Sequence, residues 1–191
     1  MKKQQDKIEN GWLCASRKLA SPHFDARPNA QDISLLVIHY ISLPPEQFGN
    51  GSIDDFFLGK LDPNAHPYFE TIKDLRVSAH CLIARDGAVT QYVNFNDRAW
   101  HAGLSSFQGR EKCNDFAIGI ELEGSNEQPF TDAQYESLHA LTLAILQEYP
   151  KITPDRIVGH CHIAPERKID PGQFFDWQGY LCGIENELNK K

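Results

Sequence analysis

The stretch SLLVIHYI, residues 34–41, is a nearly continuous apolar run that contains β-branched residues. Its length and its lack of polar alternation are typical of a strand that is buried on both faces of a sheet. His39 lies near the C-terminal end of this predicted strand. A histidine at the end of a buried strand is a first candidate for a functional site.

Two further segments predict strands. The segment AHCLIARDGAVTQYV, residues 79–93, has β-prone runs on both sides of Asp86-Gly87, a dipeptide that tolerates the positive φ angles of a tight hairpin turn. The segment RIVGHCHI, residues 156–163, is a shorter β-prone run. If this run is extended throughout, His160 and His162 share one face.

The segment FAIGIELEG, residues 116–124, has the alternation of a strand. Its large apolar side chains fall on one face, and Glu121 and Glu123 fall on the opposite face. This pattern predicts an acidic strand face, on which the two glutamates are equal candidates for a catalytic carboxylate.

The segment TDAQYESLHALTLAILQEYP, residues 131–150, predicts an amphipathic helix. Thr131 and Gln134 have the spacing of a capping box, and Pro150 ends the segment. A stripe at steps of three and four residues forms the apolar face, namely Tyr135, Leu138, Thr142, Ile145 and Tyr149.

Residues 44–69 form a long excursion that is rich in proline, glycine and asparagine, with a short amphipathic piece, IDDFFLG, that predicts a helix. Long excursions are often functional, and the sequence leaves open whether this one moves as a lid. Strands and helices mix along the chain, which predicts an α/β fold with hairpin and crossover links.

Length and charge limit the classes of protein to consider. The chain has 191 residues, of which 41% are hydrophobic, which favours one domain over residues 1–191. The formal net charge of −7 argues against binding to nucleic acid or to anionic cell-wall polymer, because such proteins usually present a basic face. A small soluble substrate fits better, and no obligate protein partner is evident.

The compartment is predicted from what the sequence lacks. Polar residues in MKKQQDKIENGWL occupy the place of the apolar region of a signal peptide. The sequence has no run of ~18 apolar residues of the kind that spans a membrane. The five cysteines are odd in number and scattered, which favours a reducing cytoplasm over a disulfide framework.

The segment GHCHIAPERKIDPG, residues 159–172, concentrates polar groups that bind metals. Catalytic zinc sites use three protein ligands and keep one open position. His160 and Asp170, together with His39, give such a set. The alternative is a histidine hydrogen-bonded in the core and an Asp-Pro-Gly turn, and spacing alone does not decide between them.

Several blocks of the chain, in this order, resemble the cytoplasmic 1,6-anhydro-N-acetylmuramyl-L-alanine amidases of the N-acetylmuramoyl-L-alanine amidase type 2 family. The resemblance runs from about Gly11 to Trp177 and is carried by HYISLPP, DPNAHPYF, RVSAHCLI, AWHAGLSSFQGRE, CNDFAIGIELEG and GHCHIAPERKIDPGQFFDW. It implies a central mixed β-sheet flanked by α-helices, like that of peptidoglycan-recognition proteins. It also implies hydrolysis of the amide between the lactyl group of anhydromuramic acid and L-alanine in cell-wall recycling, which lowers β-lactamase induction.

The resemblance also implies roles for individual residues. It implies that His39, His160 and Asp170 bind one Zn²⁺ ion and that Glu121 and Lys168 are the catalytic residues. His162, beside His160, is a rival ligand from the residues alone.

Substrate contacts are expected at four further positions. Tyr40 departs from the family pattern beside the first zinc histidine, and His101 belongs to a Trp-His-Ala-Gly pocket wall. Arg76 and Lys112 could compensate the carboxylates of a stem peptide.

Two other functions stay open at this point. One is an amidase acting on intact peptidoglycan, against which the acidic charge and the polar N-terminal segment weigh. The other is a recognition module that binds peptidoglycan without cutting it, against which the retained ligands, Glu121 and Lys168 weigh.

Overall fold

The computed structural model describes residues 7–190 of the chain. Residues 1–6, the lysine-bearing start of MKKQQDKIENGWL, lie outside the described part, as does residue 191. The strands are β1 (Ile8–Glu9), β2 (Trp12–Leu13), β3 (Arg17–Lys18), β4 (Phe24–Ala26), β5 (Leu35–Ile41), β6 (Cys81–Ile83), β7 (Val89–Gln91), β8 (Asp97–Ala99), β9 (Ser106–Phe107), β10 (Arg110–Glu111), β11 (Ala117–Glu123) and β12 (Ile157–Gly159). The α-helices are α1 (Ser52–Phe57), α2 (Pro67–Ile72), α3 (Asp132–Glu148), α4 (His160–Ile163) and α5 (Trp177–Leu188).

The central sheet has six strands in the order β12-β5-β11-β6-β7-β3. Strand β5 pairs in parallel with β12 on one side and with β11 on the other, and β11 also pairs in parallel with β6. The β6–β7 pair is antiparallel, so the sheet is mixed. This arrangement confirms the predicted fold class of a mixed sheet flanked by helices.

The apolar run at residues 34–41 is confirmed as a strand inside this sheet. Side chains alternate between the two faces of a strand. Leu36 and Ile38 of β5 belong to the apolar cluster that includes the buried residues of α3 and α5. The intervening residues therefore point to the opposite face, where Val37 is followed by His39.

The local turn and cap signals are also confirmed. Strands β6 and β7 form the hairpin around Asp86-Gly87, and Gly87 has a φ of 85°. Helix α3 begins after Thr131, whose side chain accepts from the Gln134 backbone N–H while the Gln134 side chain accepts from the Thr131 N–H. Both capping-box hydrogen bonds are thus present.

The prediction of an extended segment through residue 163 is wrong. Strand β12 ends at Gly159, and the chain turns into the short helix α4 at His160. In a helix, side chains two positions apart do not lie on the same face. His162 therefore leaves the side on which His160 lies, and its Nδ1 accepts the Gly159 backbone N–H (2.9 Å).

The excursion at residues 44–69 is anchored to the domain. Its predicted helix is α1, which buries Ile53, Phe56 and Phe57. These side chains pack in one apolar cluster with residues of α2 and of the β6–β7 hairpin. The excursion thereby lines a cavity that lies at the C-terminal end of β5.

Candidate active site

Two ring nitrogens and one carboxylate oxygen converge at the C-terminal edge of the sheet. His39 lies on β5, and His160 follows β12 directly. Because β12 and β5 are parallel neighbours, their carboxyl ends meet at one edge and bring the two rings together. Asp170 comes from the loop after α4, which is held by a hydrogen bond from the Cys161 backbone N–H to the Asp170 carbonyl oxygen (2.9 Å).

The three atoms form a nearly equilateral triangle. His39 Nδ1 lies 3.0 Å from His160 Nδ1 and 2.9 Å from Asp170 Oδ2, and His160 Nδ1 lies 3.1 Å from the same oxygen. Ligands in a tetrahedron around Zn²⁺, at ~2.0 Å from the ion, are about 3.3 Å apart. The triangle therefore has the size that a single small cation requires.

Protons alone do not account for this triangle. A ring nitrogen has either one N–H or one lone pair in the ring plane. If both Nδ1 atoms donate to Asp170, their N–H groups crowd each other across the 3.0 Å between His39 and His160. If either Nδ1 is unprotonated, it faces the carboxylate oxygen with no hydrogen between them. A cation accepts all three lone pairs at once, so the residues fit a bound metal.

The opposite nitrogen of each histidine also has a hydrogen-bond partner. His160 Nε2 lies 3.0 Å from the Ala102 carbonyl oxygen, to which it donates. His39 Nε2 lies 3.0 Å from His101 Nδ1. With protons on both Nε2 atoms, the two Nδ1 lone pairs are free to bind a metal. Such outer contacts are the usual companions of metal-binding histidines.

Asp170 is held in its charged form. Burial raises the pKa of its carboxyl group, but the rings of His160 and His39, which contact Asp170 Oδ2, outweigh burial and bring the pKa below its ordinary value. A carboxylate ligand must be deprotonated, so this environment suits metal binding.

Glu121 lies next to this triangle. It pairs with His39 in the register of β11 and β5. Its carboxyl group is buried, and its Oε2 has no hydrogen-bond partner among residues 7–190. Burial, together with the charge of Asp170, raises the pKa of Glu121 well above its ordinary value, and Lys168 acts in the opposite direction. The environment of Glu121 therefore favours the protonated form of its carboxyl group more than water does.

Glu123 shares the face of Glu121 but has a different environment. Its Oε1 accepts the Gly49 backbone N–H (2.6 Å), and its Oε2 accepts the Arg85 backbone N–H (3.2 Å). Both oxygens thus join the start of the excursion to the β6–β7 hairpin. This contrast distinguishes the two glutamates, which the sequence pattern leaves equal, because only the Glu123 oxygens are both held by backbone donors.

One cavity contains the triangle and both predicted catalytic residues. Its polar side is formed by the three candidate ligands with Glu121 and Lys168, and Tyr40 and His101 also line it. Apolar side chains also line it, from the excursion and from segments before and after it, including Leu43, Phe56, Tyr68, Ile72 and Trp100. The predicted candidates that the structure brings together are thus the ligands, the catalytic pair, Tyr40 and His101.

Arg76 and Lys112 lie elsewhere. Arg76 is exposed, and its Nη1 donates to the carbonyl oxygens of Lys73 (2.9 Å) and Leu75 (3.1 Å). Lys112 is exposed beside a second cavity, which Arg167 also lines. Neither cation is among the residues that line the cavity of the metal triangle.

Some parts of the site had no signal in the sequence. The Ala102 carbonyl oxygen, which accepts from His160 Nε2, also accepts from Arg167 Nη2 (2.7 Å). Backbone carbonyls carry no residue identity, so no motif could indicate this one. The Trp-His-Ala-Gly segment indicated only a pocket wall.

His162 does not belong to the triangle. Among the described residues, the group of side chains placed to bind one ion consists of His39, His160 and Asp170. The His162 ring packs against Trp177, with a centroid distance of 5.3 Å. This placement favours His160 over His162 as the ligand.

The comparison with known families decides the assignment. The sequence profile of the N-acetylmuramoyl-L-alanine amidases matches residues 29–173. The chain belongs to the N-acetylmuramoyl-L-alanine amidase family. The matched range contains every member of the triangle, Glu121 and Lys168, so the amidase resemblance expected from the sequence is confirmed.

Individual amidases resemble the chain over most of its length. The 1,6-anhydro-N-acetylmuramyl-L-alanine amidase AmpD of Haemophilus influenzae is 73% identical over 185 residues, which cover 97% of this chain and all of the relative. A crystal structure of a Se-Met AmpD derivative superposes with a TM-score of 0.90 at 57% identity, covering 93% of this chain and 98% of that one. AmiD of Escherichia coli, in complex with anhydro-N-acetylmuramic acid-L-Ala-D-γ-Glu-L-Lys, has a TM-score of 0.60 at 31% identity, covering 94% of this chain and 65% of that one.

Helices that could cross a membrane are absent from residues 7–190. The five cysteines of the chain lie within the described residues, and all are free thiols in the structure.

Proposed function

We propose that this amidase hydrolyses the amide between the lactyl group of 1,6-anhydro-N-acetylmuramic acid and L-alanine in muropeptides. The observation that carries the proposal is the triangle of His39, His160 and Asp170 beside Glu121 Oε2, which has no hydrogen-bond partner among the described residues. The 73% identity with the Haemophilus influenzae enzyme supports the choice of the anhydro substrate. The proposed role is cell-wall recycling in the cytoplasm by one amidase domain, which would lower β-lactamase induction.

Zinc is the proposed metal. Two imidazoles and one carboxylate form a ligand set that catalytic zinc sites use, with one position open. When bound, Zn²⁺ acts as a Lewis acid and lowers the pKa of water toward ~7. The chain supplies the geometry, because the contacts of His160 with Ala102 and of His39 with His101 fix both rings.

Glu121 is the proposed general acid and base. It takes the proton of the attacking water on Oε2, the oxygen that has no hydrogen-bond partner within the described chain. It then returns a proton to the leaving nitrogen of L-alanine. Burial raises the pKa of Glu121, which makes its carboxylate a stronger base toward the attacking water than an exposed glutamate.

Lys168 is the proposed donor to the oxygen of the cleaved amide. It lines the same cavity as the triangle and is only partly exposed. Its positive charge acts on Glu121, whose pKa it lowers, so the two groups are close enough to influence each other. An ammonium group fixed in such a cavity stabilises the negative charge that develops on the amide oxygen in the transition state.

The cavity walls suit a ligand with an apolar and a polar end. Tyr68 of the excursion and Trp100 line the cavity and are proposed to contact a sugar ring, while the reacting amide meets the polar side. Tyr40 and His101 are proposed to contact the substrate there, and Arg76 and Lys112 to meet stem-peptide carboxylates from outside the cavity. A small soluble muropeptide is compatible with the net charge of −7, which disfavours an anionic polymer.

The proposal is tested with one defined substrate, anhydro-N-acetylmuramic acid-L-Ala-D-γ-Glu-L-Lys. We expect release of the peptide L-Ala-D-γ-Glu-L-Lys, measured by liquid chromatography with mass spectrometry. A chelator should stop the reaction because it removes the proposed metal, and stoichiometric Zn²⁺ should restore it.

Insoluble sacculi are the matched comparison in the same assay. Faster release from sacculi than from the soluble substrate would favour an amidase of intact peptidoglycan. Binding of the soluble substrate without any release, at full zinc occupancy, would favour the recognition module. Activity that persists after complete removal of metal would contradict the proposed site.

A further inference from the structure

We infer that His101 is a positioning residue for the metal centre, which it serves by accepting a hydrogen bond from His39. The inference rests on the proposed metal site. His101 Nδ1 lies 3.0 Å from His39 Nε2, and the two rings meet edge to face. It thus contacts the nitrogen of His39 that points away from Asp170 and His160.

The direction of this hydrogen bond follows from the ligand triangle. His39 offers Nδ1 to the metal, so Nε2 must carry the proton of a neutral ring. Nε2–H then donates to His101 Nδ1, which has to be the unprotonated nitrogen. An acceptor behind a ligand histidine fixes its tautomer and orientation and makes it a stronger ligand.

Among the described residues, this arrangement leaves a buried N–H group without an acceptor on the other side of the His101 ring. Its Nε2 must carry the remaining proton, yet within residues 7–190 this buried atom has no hydrogen-bond partner. A histidine serving only the stability of the core is expected to satisfy both nitrogens. His80 does so nearby, because its Nδ1 accepts the Gly119 N–H (3.0 Å) and its Nε2 lies 3.2 Å from the Asp97 carbonyl oxygen.

Gly119 makes room for the His101 ring. It lies on the same face of β11 as Glu121, two residues earlier. A Cβ atom at Gly119 would lie 2.5 Å from both Cγ and Nδ1 of His101, which is closer than real Cβ contacts come. The ring could not keep its place against His39 if residue 119 had a side chain. Gly119 is thus needed for the contact between His101 and His39.

The test is the zinc dissociation constant, measured by competition with a chromophoric chelator. His101→Leu fills the space without an acceptor and should weaken zinc binding about 10- to 100-fold, the usual effect of removing an outer partner. His101→Asn places its carbonyl oxygen where Nδ1 lies and loses only Nε2, which has no hydrogen-bond partner in the part of the chain that the structure describes. It should keep zinc affinity within about threefold of the wild type, because the acceptor is retained.

Gly119→Ala is the second variant, and Gly183→Ala is its matched control. A Cβ atom at Gly183 would also meet a histidine ring at 2.5 Å, that of His139 in the α3–α5 contact. Gly119→Ala should weaken zinc binding and Gly183→Ala should not. In a His101→Ala background, Gly119→Ala should have no further effect on zinc affinity, because the clashing ring is gone.

The outcomes separate this inference from the proposed function. Equal zinc affinities for the wild type, His101→Leu and Gly119→Ala would overturn the role of His101 and leave the metal centre intact. Equal losses in His101→Leu and His101→Asn would also overturn it, because the hydrogen-bond acceptor would then be irrelevant. Failure of the wild type to bind zinc would overturn both proposals.

Discussion

Asp170→Ala is expected to abolish both metal binding and turnover. Asp170 Oδ2 contacts the Nδ1 atoms of His39 and His160, so its loss leaves only two of three ligands. Metal catalysis is worth several kcal/mol, so the rate should fall by about 10³-fold or more. Zinc content by mass spectrometry of the metal and peptide release from the anhydro-muropeptide are the two measurements.

His162→Ala is the matched control for this variant. His162 lies two residues after a ligand but packs against Trp177 outside the triangle. It should keep one zinc ion per chain and nearly full turnover. Stoichiometric zinc in Asp170→Ala, or its loss in His162→Ala, would contradict the assignment of the ligands.

Glu121→Gln is expected to keep the metal and lose most of the rate. The glutamine has the same shape but cannot take a proton from water, and general acid–base catalysis is worth about 10²- to 10⁴-fold. The loss should appear in kcat, with zinc content unchanged. Full activity of this variant would remove Glu121 from the mechanism.

The same variant should be more stable than the wild type in metal-free protein at neutral pH. Burial raises the pKa of Glu121 in the folded state, so the wild type loses stability as the pH rises above the ordinary value of 4.5. Glutamine does not titrate. The difference in free energy of unfolding should therefore be small at pH 4 and grow toward pH 7, as measured by urea denaturation with a chelator present.

Glu123→Gln is the control on the same strand face. Its oxygens accept backbone N–H groups of Gly49 and Arg85, so it ties two loops together. We expect a lower Tm and a nearly unchanged kcat for the folded protein. A loss of kcat in this variant as large as that in Glu121→Gln would show that the strand face acts as a unit.

Local signals in the sequence predict much of this fold, because each acts over a few residues. The apolar run around Val37, the Asp86-Gly87 turn and the Thr131 capping box all appear as expected. The order of the strands does not follow from such signals, because it depends on contacts between distant segments. The two-residue strands near the N-terminus and helix α2 also lie below what periodicity can detect.

The failure at residues 156–163 has a physical reason. The β-branched residues Ile157 and Val158 favour a strand, and Ile163 has the same preference on the other side of the two histidines. The local sequence therefore predicts that the strand continues through them. The chain turns at Gly159, where a Cβ atom would lie 2.6 Å from Pro171 Cδ and 3.1 Å from the Trp177 ring. Tertiary packing, which the local sequence does not contain, thus sets the end of this strand.

The site was predictable as a list of residues but not as an arrangement. Resemblance to a family indicated His39, His160 and Asp170, whereas spacing alone left a core histidine and a turn as alternatives. Only the structure separates Glu121 from Glu123, because only contacts show which carboxylate is already occupied by backbone donors. The role of His101 likewise depends on a distance between side chains 62 positions apart.

The most direct measurement of the central claim is anomalous diffraction at the zinc edge from crystals grown with Zn²⁺. We expect one strong peak at about 2.0–2.2 Å from His39 Nδ1, His160 Nδ1 and Asp170 Oδ2, with a fourth position not occupied by the protein. Three results would contradict the proposed ligand set: a zinc ion bound through Nε2 of either histidine, a fourth ligand from the chain, or no peak within the triangle.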